Sequence, residues 1–341
     1  MRVKLRVRAR IDDARRRLRR SAGMPVVTAR LGPSAPTAPD AAAGPIVDPA
    51  VLDARLVEID WARLPGGTVR DRFDAPSGAL ARISLGPVDG RRIVLVPGVT
   101  GSKEDFLIMF PLLAAAGYRV EAYDMAGQYE SAGAGPEHRR PPERHYSLEL
   151  FVDDLLAVLA DGATPAHVLG YSFAGTVTAA LAVRRPELFA SLTLLSAPPV
   201  PGRSLGAFKL VGPLIGHANP GLAARVMIWG LRLNVTRVVP TRQAFVRSRL
   251  SVTRRSSVAD VMVLLSHVPD LRAALHATDL PMLVATGTGD LWSVGRHAGF
   301  AGSIGAEFVA YPTGHSPCET TPHQLVADLL RLFAAAERRA A

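Results

Sequence analysis

Cysteine, aromatic residues and long apolar runs are all scarce in this chain of 341 residues. The single cysteine, Cys318, excludes a disulfide framework and a cysteine-rich zinc site, and it favours a reducing compartment such as the cytoplasm. No run of about 18 uninterrupted apolar residues occurs, so the sequence predicts no transmembrane helix. Aromatic residues make up 6% of the chain but hydrophobic residues 48%, so Ala, Val and Leu supply most of the core. This composition excludes a disordered chain and favours helices packed on a buried sheet.

Acidic residues are also outnumbered, and most of the basic excess lies at the start of the chain. Residues 1–30 contain 11 Arg and Lys against two Asp, which gives +9 of the total net charge of +10. The remaining residues are together close to neutral. Nothing in them predicts specific nucleic-acid binding.

We interpret residues 1–50 as a flexible basic arm followed by a Pro- and Ala-rich linker. Basic and apolar residues alternate over residues 2–11, as in a strand, but the apolar residues also fit helical spacing. The pattern therefore does not distinguish a strand from a helix. No apolar segment follows Arg19 and Arg20, which argues against a secretory signal. Three interpretations stay open: a solvated arm, extra residues ahead of a true start near Met24, and an arm that makes weak contact with an anionic membrane surface.

Predicted strands and helices alternate from about Thr68 onward. Two strands joined by the turn at 75–78 predict a β-hairpin, and the apolar run at 92–97 is typical of a parallel strand covered on both faces. The pattern predicts further strands at 118–123, 166–171, 191–196, 282–286 and 308–311, and helices at 102–116, 148–160, 173–185 and 322–336. The sequence therefore predicts an α/β fold with a doubly wound, mostly parallel sheet that opens with an antiparallel hairpin.

One stretch of about 80 residues interrupts this alternation. It contains no convincing strand, and its apolar spacing predicts successive helices at 206–215, 222–233, 242–250 and 258–265. This is far longer than a crossover between two strands requires. We therefore predict a helical cap at 198–279, inserted into a core formed by 51–197 and 280–341.

Ser172 follows an apolar strand and opens a helix, with Gly170 and Ala174 two residues to either side. A strand-to-helix turn this sharp crowds those positions, so they must be small. The turn exposes the serine hydroxyl, and the start of the helix supplies free N–H groups. The G-x-S-x-[G/A] pattern alone is common, but in this context it marks Ser172 as a candidate nucleophile.

A serine nucleophile needs a base to remove its proton and a carboxylate to orient that base. His315 follows the last predicted strand and lies at its carboxyl end, the edge at which ligands bind in this architecture. Asp290 likewise follows the strand at 282–286, whereas Asp279 precedes that strand and lies at the opposite edge. The other histidines lie in loops, in the cap, inside a strand or at the start of the last helix, and we place His297 in a polar connection.

The order Ser172, Asp290, His315 on an alternating sheet resembles the α/β-hydrolase superfamily over about residues 68–336. The resemblance is to its capped members with a serine nucleophile. It implies that the three residues form a catalytic triad for acyl transfer. Branches of the superfamily that use an aspartate nucleophile, the dehalogenases and epoxide hydrolases, are excluded by the serine.

Two further stretches carry the resemblance. Residues 94–102 are similar to the superfamily's oxyanion loop, with Pro97 in place of its usual histidine. The resemblance implies an oxyanion hole formed by the backbone N–H groups of Val99 and Phe173. Residues 124–131 are similar to a structural Asp-x-x-Gly-x-Gly-x-Ser turn, with Tyr129 at the second glycine.

The expected function is hydrolysis of a carboxylic ester or related acyl bond, with no cofactor and no metal. Two alternatives stay open: an acyltransferase that uses the same triad, and a ligand-binding protein that has lost turnover. Apolar cap residues suggest a small-molecule substrate with an apolar portion, although most of them are expected to form the core of the cap (Phe208, Leu210, Met227, Trp229, Leu233, Met262). Cys318 follows no strand-to-helix turn, so we expect no role for it in catalysis.

Overall fold

A computed structural model describes residues 47–204, 220–234 and 238–340. The basic arm, most of the predicted linker and the predicted helix at 206–215 lie outside these residues. An eight-stranded sheet runs in the order β1-β2-β4-β3-β5-β6-β7-β8. Its strands are β1 Val69–Ala75, β2 Gly78–Leu85, β3 Arg92–Val96, β4 Arg119–Tyr123, β5 Ala166–Tyr171, β6 Phe189–Leu195, β7 Met282–Gly287 and β8 Glu307–Tyr311.

Strands β1 and β2 form an antiparallel hairpin, β2 pairs antiparallel with β4, and every later pair is parallel. The prediction of a mostly parallel sheet that opens with a hairpin is therefore confirmed. Strands β3, β5 and β7 are buried along their whole length, which for β3 confirms the prediction from the apolar run at 92–97. Side chains alternate between two cores: Val94 and Val96 belong to one, and Ile93 and Leu95 to the other.

Helices cover both faces of the sheet. They are α1 Pro49–Asp53, α2 Met109–Ala115, α3 Leu148–Ala160, α4 Phe173–Arg184, α5 Pro220–Arg232, α6 Pro240–Val252, α7 Arg255–Leu264, α8 Arg272–His276, α9 Val294–Ile304, α10 Pro317–Thr320 and α11 Pro322–Ala340. Buried residues of α3 and α4 join the first core, and those of α2 and α11 join the second. None of the helices in the described residues is both long enough and apolar enough to cross a membrane.

Helices α5, α6, α7 and α8 lie between β6 and β7, in the segment predicted as the cap. Val258, Val261 and Met262 of α7 belong to the first core. Residues Asp48–Ala341 form one compact unit. The division into a core and a cap stays a prediction.

The expected burial of the cap's apolar residues is only partly correct. Met262 is buried and Met227 packs against the first core, but the Trp229 and Leu233 side chains are exposed. Phe208 and Leu210 lie outside the described residues. The amino-acid composition of the predicted cap does not show which of its apolar side chains are buried, because buried and exposed ones occur on the same helix.

Two predicted elements differ from the structure. The expected helix at 102–116 is divided into a 3₁₀ helix at Lys103–Phe106 and helix α2. Here the Asp105 carboxylate accepts a hydrogen bond from the Ser102 N–H, so a side chain replaces part of the helical backbone ladder. The second difference is His297, which lies in helix α9 and not in a polar connection. That helix contains Gly295, Gly299 and Gly302, which have low helix propensity and conceal it in the sequence.

Candidate active site

Ser172 occupies the turn between β5 and α4 with backbone angles φ +55° and ψ −124°. This is a conformation that L residues rarely adopt, and the close packing around the turn maintains it. A Cβ atom added to Gly170 would lie 2.3 Å from Thr178 Oγ1 and 2.6 Å from the Ala174 carbonyl oxygen, so only glycine fits there. The Ser172 N–H donates to the Leu195 carbonyl at 2.8 Å. Packing and backbone bonding thus fix the position of the serine hydroxyl.

The structure brings Ser172, His315 and Asp290 together at the carboxyl edge of the sheet. His315 Nε2 lies 3.0 Å from Ser172 Oγ, and His315 Nδ1 lies 3.3 Å from both carboxylate oxygens of Asp290. One ring nitrogen can therefore take the serine proton while the other donates to the carboxylate. The His315 side chain is partly exposed, whereas Asp290 is fully buried. Ser172 is also buried, with 8% of its surface exposed, so His315 is the member of the three that is most open to solvent.

Several groups stabilise the Asp290 carboxylate. Thr286 Oγ1 donates to it at 2.9 Å, and the Trp292 N–H donates at 3.1 Å. Burial alone would raise the pKa of Asp290, but the charge of His315 and hydrogen bonding to the carboxylate lower it well below its usual range. Asp290 is therefore an anion that can hold one tautomer of His315 and offset imidazolium charge.

His297 is a buried neighbour of Asp290 that the sequence analysis missed. Its Nε2 lies 3.9 Å from Asp290 Oδ1, beyond hydrogen-bonding distance, and the side chain is fully buried. Neither ring nitrogen has a hydrogen-bond partner among the described residues. In the sequence, the one indication of this contact is that His297 comes seven residues after Asp290. The glycines around His297 conceal the helix that directs its side chain inward.

The loop after β3 lies directly against Ser172. A Cβ atom added to Gly98 would be 2.8 Å from Ser172 Cβ and 3.2 Å from the Tyr171 carbonyl oxygen, so the absence of a side chain permits this approach. Val99 follows on this loop, and Phe173 opens helix α4. Neither of their backbone N–H groups donates to an acceptor within the described parts of the chain. Both N–H groups predicted for an oxyanion hole therefore belong to segments that adjoin Ser172, and their role in an oxyanion hole stays a prediction.

A buried ion-pair network, also missed in the sequence, connects helix α6 to two loops of the site. Arg242 contacts Asp105 Oδ1 at 2.6 Å and Glu319 Oε1 at 2.5 Å, and Arg249 contacts Asp105 Oδ1 at 2.5 Å. Burial alone would raise the pKa of Asp105, but the charges of Arg249 and Arg242 lower it. Asp105 follows the loop of Gly98, and Glu319 follows His315. The network thus links α6 to the segments next to Val99 and His315.

Neither Asp279, the alternative acid, nor Cys318, the alternative nucleophile, is part of this arrangement. Asp279 is exposed and pairs with Arg339 at 2.9 Å, which agrees with its predicted place at the opposite edge. Cys318 is buried, and burial raises the pKa of its thiol well above the usual range, so a thiolate is strongly disfavoured. Among the described residues, no group of three or more His, Cys, Asp or Glu side chains is arranged to hold a metal ion.

Comparison with known proteins identifies relatives of this fold. A family model described as alpha/beta hydrolase fold matches residues 91–294, more than half of the chain. A protein of Variovorax paradoxus (strain S110), named as a candidate carbamate hydrolase, RutD, is 33% identical over 113 residues. The match spans 33% of this chain and only 40% of that relative.

Solved structures match over a larger part of the chain. A carboxylesterase of the archaeon Nitrososphaera gargenis superimposes with a TM-score of 0.64 at 16% identity, covering 79% of this chain and 100% of that one. A thermophilic esterase of Thermogutta terrifontis gives a TM-score of 0.61 at 22% identity, covering 79% and 99%. At these identities the likeness establishes a shared fold.

Proposed function

Since this chain belongs to the α/β-hydrolase family, we propose that it is a serine hydrolase that cleaves a carboxylic ester or a related acyl bond through an acyl-enzyme. The observation that carries the proposal is the 3.0 Å distance between Ser172 Oγ and His315 Nε2, with Asp290 on the far side of the imidazole ring. This is the arrangement that makes a serine oxygen nucleophilic at neutral pH.

The reaction begins with attack of Ser172 Oγ on the acyl carbon while His315 Nε2 accepts the hydroxyl proton. The tetrahedral oxyanion is stabilised by the N–H groups of Val99 and Phe173, each contributing about 3 kcal/mol by analogy with measured oxyanion holes. His315 then protonates the leaving alcohol, and the ester bond breaks to leave an acylated Ser172. In the second half-reaction His315 activates a water molecule, which releases the acid and restores the serine.

The named activities of the relatives support an acyl substrate. Two structural neighbours are a carboxylesterase and an esterase, and the Variovorax protein is named for carbamates. An ester and a carbamate both present a carbonyl carbon bonded to an oxygen leaving group, so one triad can attack either. We place simple carboxylic esters first, because two of these three names specify them.

Covalent labelling tests the proposal. A fluorescent fluorophosphonate should label the parent protein on Ser172, and Ser172→Ala should abolish both labelling and ester turnover while leaving the circular dichroism spectrum unchanged. Ser251→Ala is the matched control, because Ser251 is an exposed serine of α6 whose hydroxyl donates only to the Ser248 carbonyl. Labelling and turnover at parental rates in Ser172→Ala would overturn the proposal.

A substrate panel then distinguishes the open alternatives. Esters of increasing acyl-chain length and an aryl carbamate are compared in the presence and absence of an acceptor alcohol. Release of free acid in both conditions supports a hydrolase, whereas formation of a new ester at the expense of free acid identifies an acyltransferase. Labelling without turnover of any substrate in the panel would favour a ligand-binding protein.

A further inference from the structure

Helix α5 and the residue that follows it expose an apolar stripe on the outside of the molecule. Its members are spaced by four, three and four residues, which places them on one side of a helix, and their exposed fractions range from 46% to 61% (Leu222, Val226, Trp229, Leu233). We call these four residues the α5 stripe. Large apolar side chains exposed together in this way mark an interaction surface.

The opposite side of the same helix already has partners. Ala224 is buried in the first core, and Met227 and Ile228 pack against that core. Helix α5 is therefore apolar on its outer side as well as on its inner side. The α5 stripe faces away from this core, so the core of this protein leaves it uncovered.

The charge around the stripe indicates what that partner is. Residues 188–259 contain ten Arg and Lys and no Asp or Glu, so the near-neutral charge of the chain after residue 30 conceals a strongly basic segment. Arg225 and Arg232 lie along one side of the stripe, and both are exposed. Arg247 of α6 is exposed beside them, and its Nε donates to the Arg232 carbonyl at 3.0 Å. None of these three arginines has a carboxylate within 4 Å among the described residues.

We propose that the α5 stripe docks on an anionic lipid bilayer, with Trp229 inserted at the level of the headgroups. An apolar stripe with a central tryptophan, bordered by arginines and free of acidic residues, is the pattern of helices that lie in a membrane interface. A second copy of this chain fits the surface less well, because it would bring the same uncompensated arginines together. This docking is independent of the proposed hydrolase activity.

The three tryptophans of the chain make the docking directly measurable. Trp61 and Trp292 are buried, whereas 61% of Trp229 is exposed, so a change in emission on lipid binding reports chiefly on Trp229. The full-length protein is titrated with vesicles of phosphatidylcholine alone and with 30% phosphatidylglycerol. A blue shift with the anionic vesicles only is expected, and Trp229→Phe should remove it while retaining sedimentation with the vesicles.

Variants separate the stripe from the basic arm. Leu222→Ser combined with Leu233→Ser should lower the vesicle partition coefficient at least tenfold, and Arg225→Gln combined with Arg232→Gln should lower it about 30-fold. Val57→Ser combined with Val88→Ser is the matched control, because both valines are exposed and lie outside the α5 stripe. This control should bind like the parent.

Three results would overturn the proposal. Sedimentation of the parent with anionic vesicles without a shift in Trp229 emission would show that the arm binds the lipid and the stripe does not. An equal shift with phosphatidylcholine alone would remove the role of the arginines. Emission that is already blue-shifted and protected from acrylamide without lipid would show that Trp229 is covered by another part of the chain or by a second copy.

Discussion

Asp290 shows how burial and hydrogen bonding together define the role of one carboxylate. It is fully buried beside His315, and its pKa is lowered even though burial alone would raise it. We therefore expect it to orient the imidazole as an anion throughout the working pH range. Asp290→Asn would reverse the hydrogen bond to His315 and stabilise the wrong tautomer, so kcat should fall by about 10⁴.

Asp279→Asn is the matched control for this measurement. Asp279 is exposed, lies before β7 and contacts Arg339, so its loss should leave kcat within a factor of two or so of the parent. Steady-state ester hydrolysis by both variants, with circular dichroism to verify folding, gives the comparison. Equal losses at the two positions, or a loss at Asp279 alone, would refute the assignment of the acid.

His167 connects a single residue to the pH dependence of stability. It is buried in β5, where its ring stacks on Phe333 at 4.0 Å between centroids and its Nδ1 lies 2.8 Å from Ser191 Oγ. Burial lowers the pKa of His167 to about 4, although the Glu337 carboxylate partly opposes this. Since the unfolded chain binds the proton near pH 6.5, the free energy of unfolding should fall by about 3 kcal/mol as pH drops from 6.5 to 4.

Urea unfolding at several pH values tests this. His167→Asn should flatten the decline between pH 6.5 and 4, even if the variant is less stable at pH 7. His145→Gln removes one exposed histidine and should keep the parental decline. If His167→Asn loses stability with acid as steeply as the parent, another group controls the acid sensitivity.

At the level of elements, the sequence was most informative at the carboxyl ends of the strands. Ser172, Asp290 and His315 each follow a parallel strand, and parallel pairing brings the ends of such strands to one edge, so the candidate site could be predicted from the order of elements. Contacts between segments that are distant in the sequence could not be predicted in this way. Arg242 and Asp105 are 137 residues apart, and no local pattern relates them. Helix α9 was missed for a different reason, since its glycines obscure the helical pattern.

The loop after β3 gives a prediction about close packing. In Gly98→Ala, the added methyl group would meet Ser172 Cβ at 2.8 Å, and the loop carrying Val99 would have to move away. Misplacing one oxyanion donor should lower kcat by about 10²–10³. Gly133→Ala is the control, because an added Cβ there meets nothing within 4 Å. Parental kcat in a folded Gly98→Ala protein would contradict the role of this loop.

Helix α6 gives a prediction about stability. Arg242 is buried over the Trp61 ring at 4.3 Å and pairs with the buried Asp105 carboxylate and the partly buried Glu319 carboxylate. Arg242→Met would leave Asp105 and Glu319 with less compensation, and the free energy of unfolding should fall by about 3–5 kcal/mol. Arg247→Met removes an exposed arginine from the same helix and should change it by less than about 0.5 kcal/mol. Equal urea midpoints for the two variants would show that the network contributes nothing to stability.

Over the whole molecule, charge is distributed very unevenly along the chain. Residues 1–30 carry +9 and residues 188–259 carry +10, so all other residues together carry −9. The net charge of +10 therefore gives no direct indication of the charge around the candidate site. Two separate basic segments can contribute to binding of anionic surfaces, and only the second contains the α5 stripe. Their contributions differ in kind, because the stripe adds apolar contact to the charge.

Deletion of residues 1–30 separates these contributions in the whole protein. Ser172, Asp290 and His315 all lie within the unit Asp48–Ala341, and charges are screened over about 8 Å at physiological salt. We therefore expect unchanged kcat/KM on a soluble neutral ester. Vesicle binding should weaken and become less sensitive to salt, while the blue shift of Trp229 should persist at saturating lipid. A truncated protein that folds but loses most of its activity would show that the arm takes part in catalysis.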